Sequence, residues 1–150
     1  MTPDDGPDQQ HRIPEGVDDA TIAALGKLSE GLETIEHARG MLYGFHRMSG
    51  SGDMAIGEAV SMLREAGHAD VADRIEREVV GRNVLPGRWT FQIVEEYDDG
   101  YYTAVKAAEQ RARDELVGGR RHLFEADMKE HNRTRGLPGH EATPGNVAGA

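Results

Sequence analysis

The stretch Trp89–Val105, WTFQIVEEYDDGYYTAV, admits two readings, and the fold turns on which of them holds. Trp89, Phe91 and Ile93 alternate, and Asp98-Asp99-Gly100 is able to turn a β-hairpin into Tyr101-Tyr102-Thr103. The helical reading instead puts Thr90, Val94, Tyr97, Tyr101, Ala104 or Val105, Ala108 and Ala112 on one face, followed by Leu116 and Leu123. A lone two-stranded hairpin is barely stable in water, whereas the helical register runs on into an Ala/Glu/Arg-rich segment. Helix is therefore expected over about 89–133, with Gly100 or Gly118–Gly119 as places for a bend.

Upstream, Gly81, Asn83, Pro86 and Gly87 mark a loop. Before it a short helix runs from about Asp70 through Val71, Ile75 and Val79. Another short helix precedes that one, with Asp53 as N-cap, Ile56, Ala59, Val60 and Leu63 inside, and Gly67 as its stop. The run Ser49-Gly50-Ser51-Gly52 is expected to separate it from a first long helix, about 18–48. That helix opens on Asp18–Asp19, where the macrodipole favours acid, and repeats Ile22, Leu25, Leu28, Leu32, Ile35 and Leu42 at three and four. The spacing thus predicts an all-α, up-down helical bundle with two long helices (18–48 and 89–133) and two short ones between. Residues 1–17 and 136–150, rich in Pro, Gly and Asp or in Gly, Pro and Ala, read as disordered tails around a helical domain at 18–135.

Composition narrows the function classes. At 150 residues the chain is one domain. Its net charge of −10 argues against nonspecific nucleic-acid binding and against anionic lipid. With no cysteine there is no disulfide framework, thiolate zinc site, iron–sulfur cluster or thiol nucleophile. No apolar run approaches the ~18 residues of a membrane span, and MTPDDGPDQQ has no apolar core of a secretory signal. The cytoplasm is the expected compartment.

Two long helices and two short ones cannot close evenly, because the short pair covers only one end of the long pair. At the other end Leu25, Leu28 and Leu32 face the later part of the last helix in a bare stem. A second copy on a two-fold axis is the simplest cover, so a homodimer is expected.

The same topology sets the end of the first helix beside the start of the last. There Arg39, His46 and Arg47 confront Glu95, Glu96, Asp98 and Asp99. Clustered carboxylates repel one another unless a cation or arginine offsets them. One reading is a divalent-metal site of Glu36, His37, His46, Glu95, Glu96 and Asp99; the other is a solvated acidic face answered by Arg39, Arg47 and Arg88. Arg39, Tyr43, Tyr97 and Tyr101 are the candidate ligand-binding residues. Di-iron bundles repeat Glu-x-x-His on facing helices, and this chain departs from that pattern. Its literal Glu-x-x-His match, Glu65-Ala-Gly-His68, falls on a helix terminus. His122 and Glu125 read as surface, and the basic run Arg120-Arg121-His122 through Arg135 is interleaved with acids and lacks stacking aromatics. The Gly/Ser run at 49–52 lacks the Lys-Ser/Thr of a phosphate loop, and Ser51 lacks a nucleophile's context. The expected function is a noncatalytic, homodimeric helical interaction protein. The alternative is a metal- or small-ligand-binding bundle of ferritin-like architecture.

Overall fold

A computed structural model describes residues 5–143. The described chain is all-α, and Thr90–Val105 is helical rather than a hairpin, with Trp89 extended just ahead of it. Helix α1 spans Asp19–Glu65, α2 Ala69–Glu78, α3 Thr90–Tyr97, α4 Thr103–Val117 and α5 Leu123–Asn132. A π-helical turn, Asp98–Tyr102, joins α3 to α4. Among the described residues there is no strand, and the lone β-bridge, Leu85 with Arg88, closes the turn at Pro86–Gly87.

The boundaries differ from the expected ones at three places. The first is the Gly/Ser run at 49–52, which lies inside α1 instead of ending it. Four such residues weaken a helix, but tertiary ties hold this one on both sides. His46 bonds Thr90, and Asp53 is no N-cap because its carboxylate accepts the amide of Gly81 at 2.9 Å. Arg39, Leu42, His46, Ser49, Asp53, Ile56, Val60 and Leu63 then form one shielded stripe across the run. The expected stop at Gly67 holds. Its φ of +87° lets its amide reach Arg64 and that of His68 reach Leu63 (3.0 and 2.9 Å), closing the last turn of α1.

The second difference is the π turn. A turn closed by i→i+5 bonds takes up an extra residue, so the inward stripe slips by one position. Tyr102, Glu109, Arg113 and Val117 are shielded beside the expected Tyr101, Ala108, Ala112 and Leu116, of which Ala112 alone is half-buried, and of Ala104 and Val105 it is Val105 that is shielded. Leu116 and Tyr101 are correspondingly exposed. The third is the end of the last helix. Gly118 and Gly119 take positive φ, and so does His122, which breaks the expected 89–133 helix and starts α5 anew.

The chain divides into two compact units. One comprises the residues up to Glu33 with those from Val105 onward; the other is Thr34–Ala104. In the first, Ile22, Leu25, Val117 and Leu123 form a core, flanked by Ile13, Val17 and Ala112. Thus the stem expected to need a second copy is closed by the chain itself: Leu25 is buried, Leu32 half-buried and only Leu28 exposed. Gly26 permits this closure, because a Cβ there would lie 2.6 Å from the ring of Phe124 on α5. Arg113, buried, forks onto Glu109 at 2.6 and 3.1 Å and donates to the carbonyl of Gly119 at 2.9 Å, capping α4. Ser29 adds a hydroxyl bond to the same Glu109 carboxylate.

The segments read as disordered tails make defined contacts where they are described. Asp8 accepts the amides of Gln10 and His11, and the Arg12 carbonyl accepts Arg120. Arg133, nearly buried, pairs with Glu130 and donates to the carbonyls of Asp5 and His140. Residues 1–4 and 144–150 of those tails lie outside the described residues. Much of the basic run is thereby used within the unit.

In the second unit Val60, Ala72 and Val94 are the buried apolar residues. Arg64 at the end of α1 bridges Asp73 and Glu76 of α2 at 2.8 and 2.5 Å.

Candidate functional site

Three ties order the second unit. Going up α1, Glu36, Arg39 and His46 meet Tyr102, Asp98 and Thr90, going down the segment from the π turn to α3. The two segments therefore run antiparallel, and because α1 continues to Glu65 it is the middle of this helix, rather than its end, that lies beside the acidic stretch. Asp98 faces α1 in the register of Val94, four residues before it, and the π turn then brings Tyr102 rather than Tyr101 to the same side.

Arg39 is the centre of the cluster. Its guanidinium forks onto Asp98 at 2.6 and 2.8 Å and lies between the rings of Tyr43 and Tyr102, 5.1 and 5.2 Å from their centroids. The fork is bidentate and half-shielded, so it holds geometry better than a solvated pair. Its hydrogen bonds keep the Asp98 carboxyl below the usual carboxylate range and Arg39 firmly protonated. Burial and the Glu36 carboxylate push the Tyr102 phenol above its ordinary value, and that hydroxyl donates to Glu36 at 3.2 Å.

The other positions singled out from the sequence are dispersed. His46 shares a 2.7 Å bond with the Thr90 hydroxyl and meets Tyr43 edge-on. Glu96 pairs with Arg88 at 2.6 Å, the partner expected for a solvated acidic face. His37, Glu95 and Asp99 are exposed. Tyr97 and Tyr101 lie against each other, 5.8 Å between centroids, away from Arg39's two rings. Among the described residues no three His, Asp or Glu side chains gather as a metal ion requires. The geometric reason is that Asp98, rather than Asp99, Glu95 or Glu96, is the acid turned to α1, and Arg39 already neutralises it.

Two further features of this unit escaped the sequence reading. One is an open groove of about 800 Å³ between α1, the end of α2 and the start of α3. Ile56, Val79, Val84, Trp89 and Phe91 line it, with His46 and Asp53 supplying polarity. Trp89 and Phe91 meet edge-on at 5.7 Å. Ser49, Glu78, Arg82, Asn83 and Thr90 add further polar groups to a groove whose surface is mostly apolar.

The other is an uncovered face of α1. Beside the shielded stripe runs a second one, Ala38, Met41, Phe45, Met48, Gly52, Ala55, Ala59 and Met62, and each of these residues is exposed. Met41, Met48 and Met62 are 65–70% exposed and Phe45 41%, while no charge interrupts the row. The signal was present in the sequence as a three-four spacing, hidden because a helix break was assumed at 49–52.

No family model, curated protein or solved structure matches this chain. No helix among the described residues is long and apolar enough to cross a membrane.

Proposed function

We propose that this chain is a noncatalytic helical interaction protein that works as a homodimer in the cytoplasm. The observation that supports this reading is the charge-free apolar row on α1, left open along nearly seven turns of helix at about 3.6 residues per turn. Exposed large apolar residues scattered singly need no explanation, but a contiguous row at helical spacing is the signature of a partner helix. The Arg39–Asp98 fork and its two tyrosines serve this function as a brace, fixing α1 against the π turn so that the open face is presented rigidly. The acidic, cysteine-free composition fits a reducing compartment and not an anionic surface. Light scattering at low micromolar concentration is expected to return twice the chain mass. A chain mass of one copy at that concentration would remove the proposal.

A further inference from the structure

The open row on α1 repeats at four and three, the seven-residue period of a helix–helix seam. Its residues are not evenly sized. The large ones, Met41, Phe45 and Met48, precede Gly50, and the small ones, Gly52, Ala55 and Ala59, follow it. The two outer members reverse this order, Ala38 first and Met62 last.

Resting on the homodimer reading, we infer that two copies pair antiparallel along Ala38–Met62, on a two-fold axis beside Gly50. Reversed about that residue, Ala38 comes opposite Met62, Met41 opposite Ala59, Phe45 opposite Ala55 and Met48 opposite Gly52. Every layer then joins one large side chain to one small one, the condition for interdigitated packing at native density. A parallel pairing stacks Phe45 on Phe45 and Met48 on Met48, and leaves Gly52, Ala55 and Ala59 facing themselves. Such a seam is crowded at one end and hollow at the other.

Charge points the same way. The flank of the row away from the groove carries His37, Gly44, Ser51, Glu58 and Glu65, and Arg47 lies one turn beyond Gly44. His37, Arg47, Glu58 and Glu65 are exposed and enter no ion pair among the described residues. In the antiparallel pairing this flank meets its own counterpart, so His37 falls opposite Glu65, and Glu58 falls opposite Gly44 within reach of Arg47. A parallel pairing would set the same flank against Leu42, Ser49, Ile56 and Leu63, which hold no charge.

Because the chain has no cysteine, one introduced thiol is the only target for a short bis-maleimide. Ser51→Cys, at the axis, is expected to link to its own copy. Met41→Cys and Ala59→Cys should each stay unlinked alone, their copies being about 27 Å apart along the seam, yet link when mixed. Phe45→Glu buries a charge in two layers and should weaken the dimer at least about 100-fold. Ala55→Glu should do the same, with helix content unchanged in both. Self-linking of Met41→Cys would mean a parallel pair and overturn the inference. A dimer that persists in Phe45→Glu and Ala55→Glu, with Ser51→Cys unlinked, would mean another face is used, sparing the homodimer reading. A single-copy mass for the parent chain would end both.

Discussion

The two units treat apolar surface in opposite ways, although α1 supplies a helix to each. Around Ile22 and Leu25 the chain brings an N-terminal segment, α4 and α5 to the helix, and the core residues fall below a tenth exposed. Even the charges buried there, Glu109, Arg113 and Arg133, are fully engaged. Along Ala38–Met62 the chain covers one stripe with α2, α3 and the π turn, held by polar ties, and leaves the adjoining row bare. Periodicity alone does not decide whether a helical face is core or interface. What decides is how many segments remain to lie on it.

The strongest way to break this contrast is to unpair a charge in the closed unit. Arg113→Met leaves the Glu109 carboxylate buried without its fork, and should cost about 3–5 kcal/mol in urea unfolding. Adding Glu109→Leu should return most of that loss, since an apolar pair of similar volume restores a dry core. If Arg113→Met costs under ~1 kcal/mol, the pair is solvated and the closed unit is more open than described. Truncation gives a smaller effect that sharpens the comparison directly. Leu123→Ala should cost about 2–3 kcal/mol, whereas Met62→Ala, measured at concentrations too low for association, should stay within about 0.5 kcal/mol. Equal losses would erase the distinction between the two faces.

The smallest effect is electrostatic. Arg39 holds the Asp98 carboxyl low in the folded chain, so the unfolded chain takes up that proton first as pH falls. The pair contributes stability above the ordinary carboxyl value of about 3.9 and loses it as pH drops through the depressed one. In Asp98→Asn the unfolding free energy should therefore decline less steeply between about pH 5 and 3. Parallel declines in the two proteins would show that the fork does not persist in solution.

The sequence made the class of fold legible because its strongest signals were local. Asp18 caps α1 through the amide of Thr21, Gly67 stops it, and α2 occupies the segment that Val71, Ile75 and Val79 predicted. The misplaced helix end is a tertiary override of a local preference. Gly50 and Gly52 are poor helix residues, yet Thr90 and Gly81 anchor the helix on either side of them. The π turn is invisible to a fixed 3.6-residue count, and that count sends Tyr101 inward where Tyr102 belongs. Hence the meeting of Arg39 with the acidic stretch was legible from charge, while its partner's identity was not. The metal grouping was read from residue type alone, and distance does not support it.

Seven glycines occupy α1, and they are not alike. A methyl at six of them would meet nothing within 4 Å in a single chain, so alanine fits and favours the helix. The seventh, Gly26, lies under the ring of Phe124, and any side chain there would lift α5 from its seat. Sequence drift along this one helix is thus unequal: six positions are open to exchange as far as the isolated chain is concerned, and one is fixed by the aromatic ring resting on it.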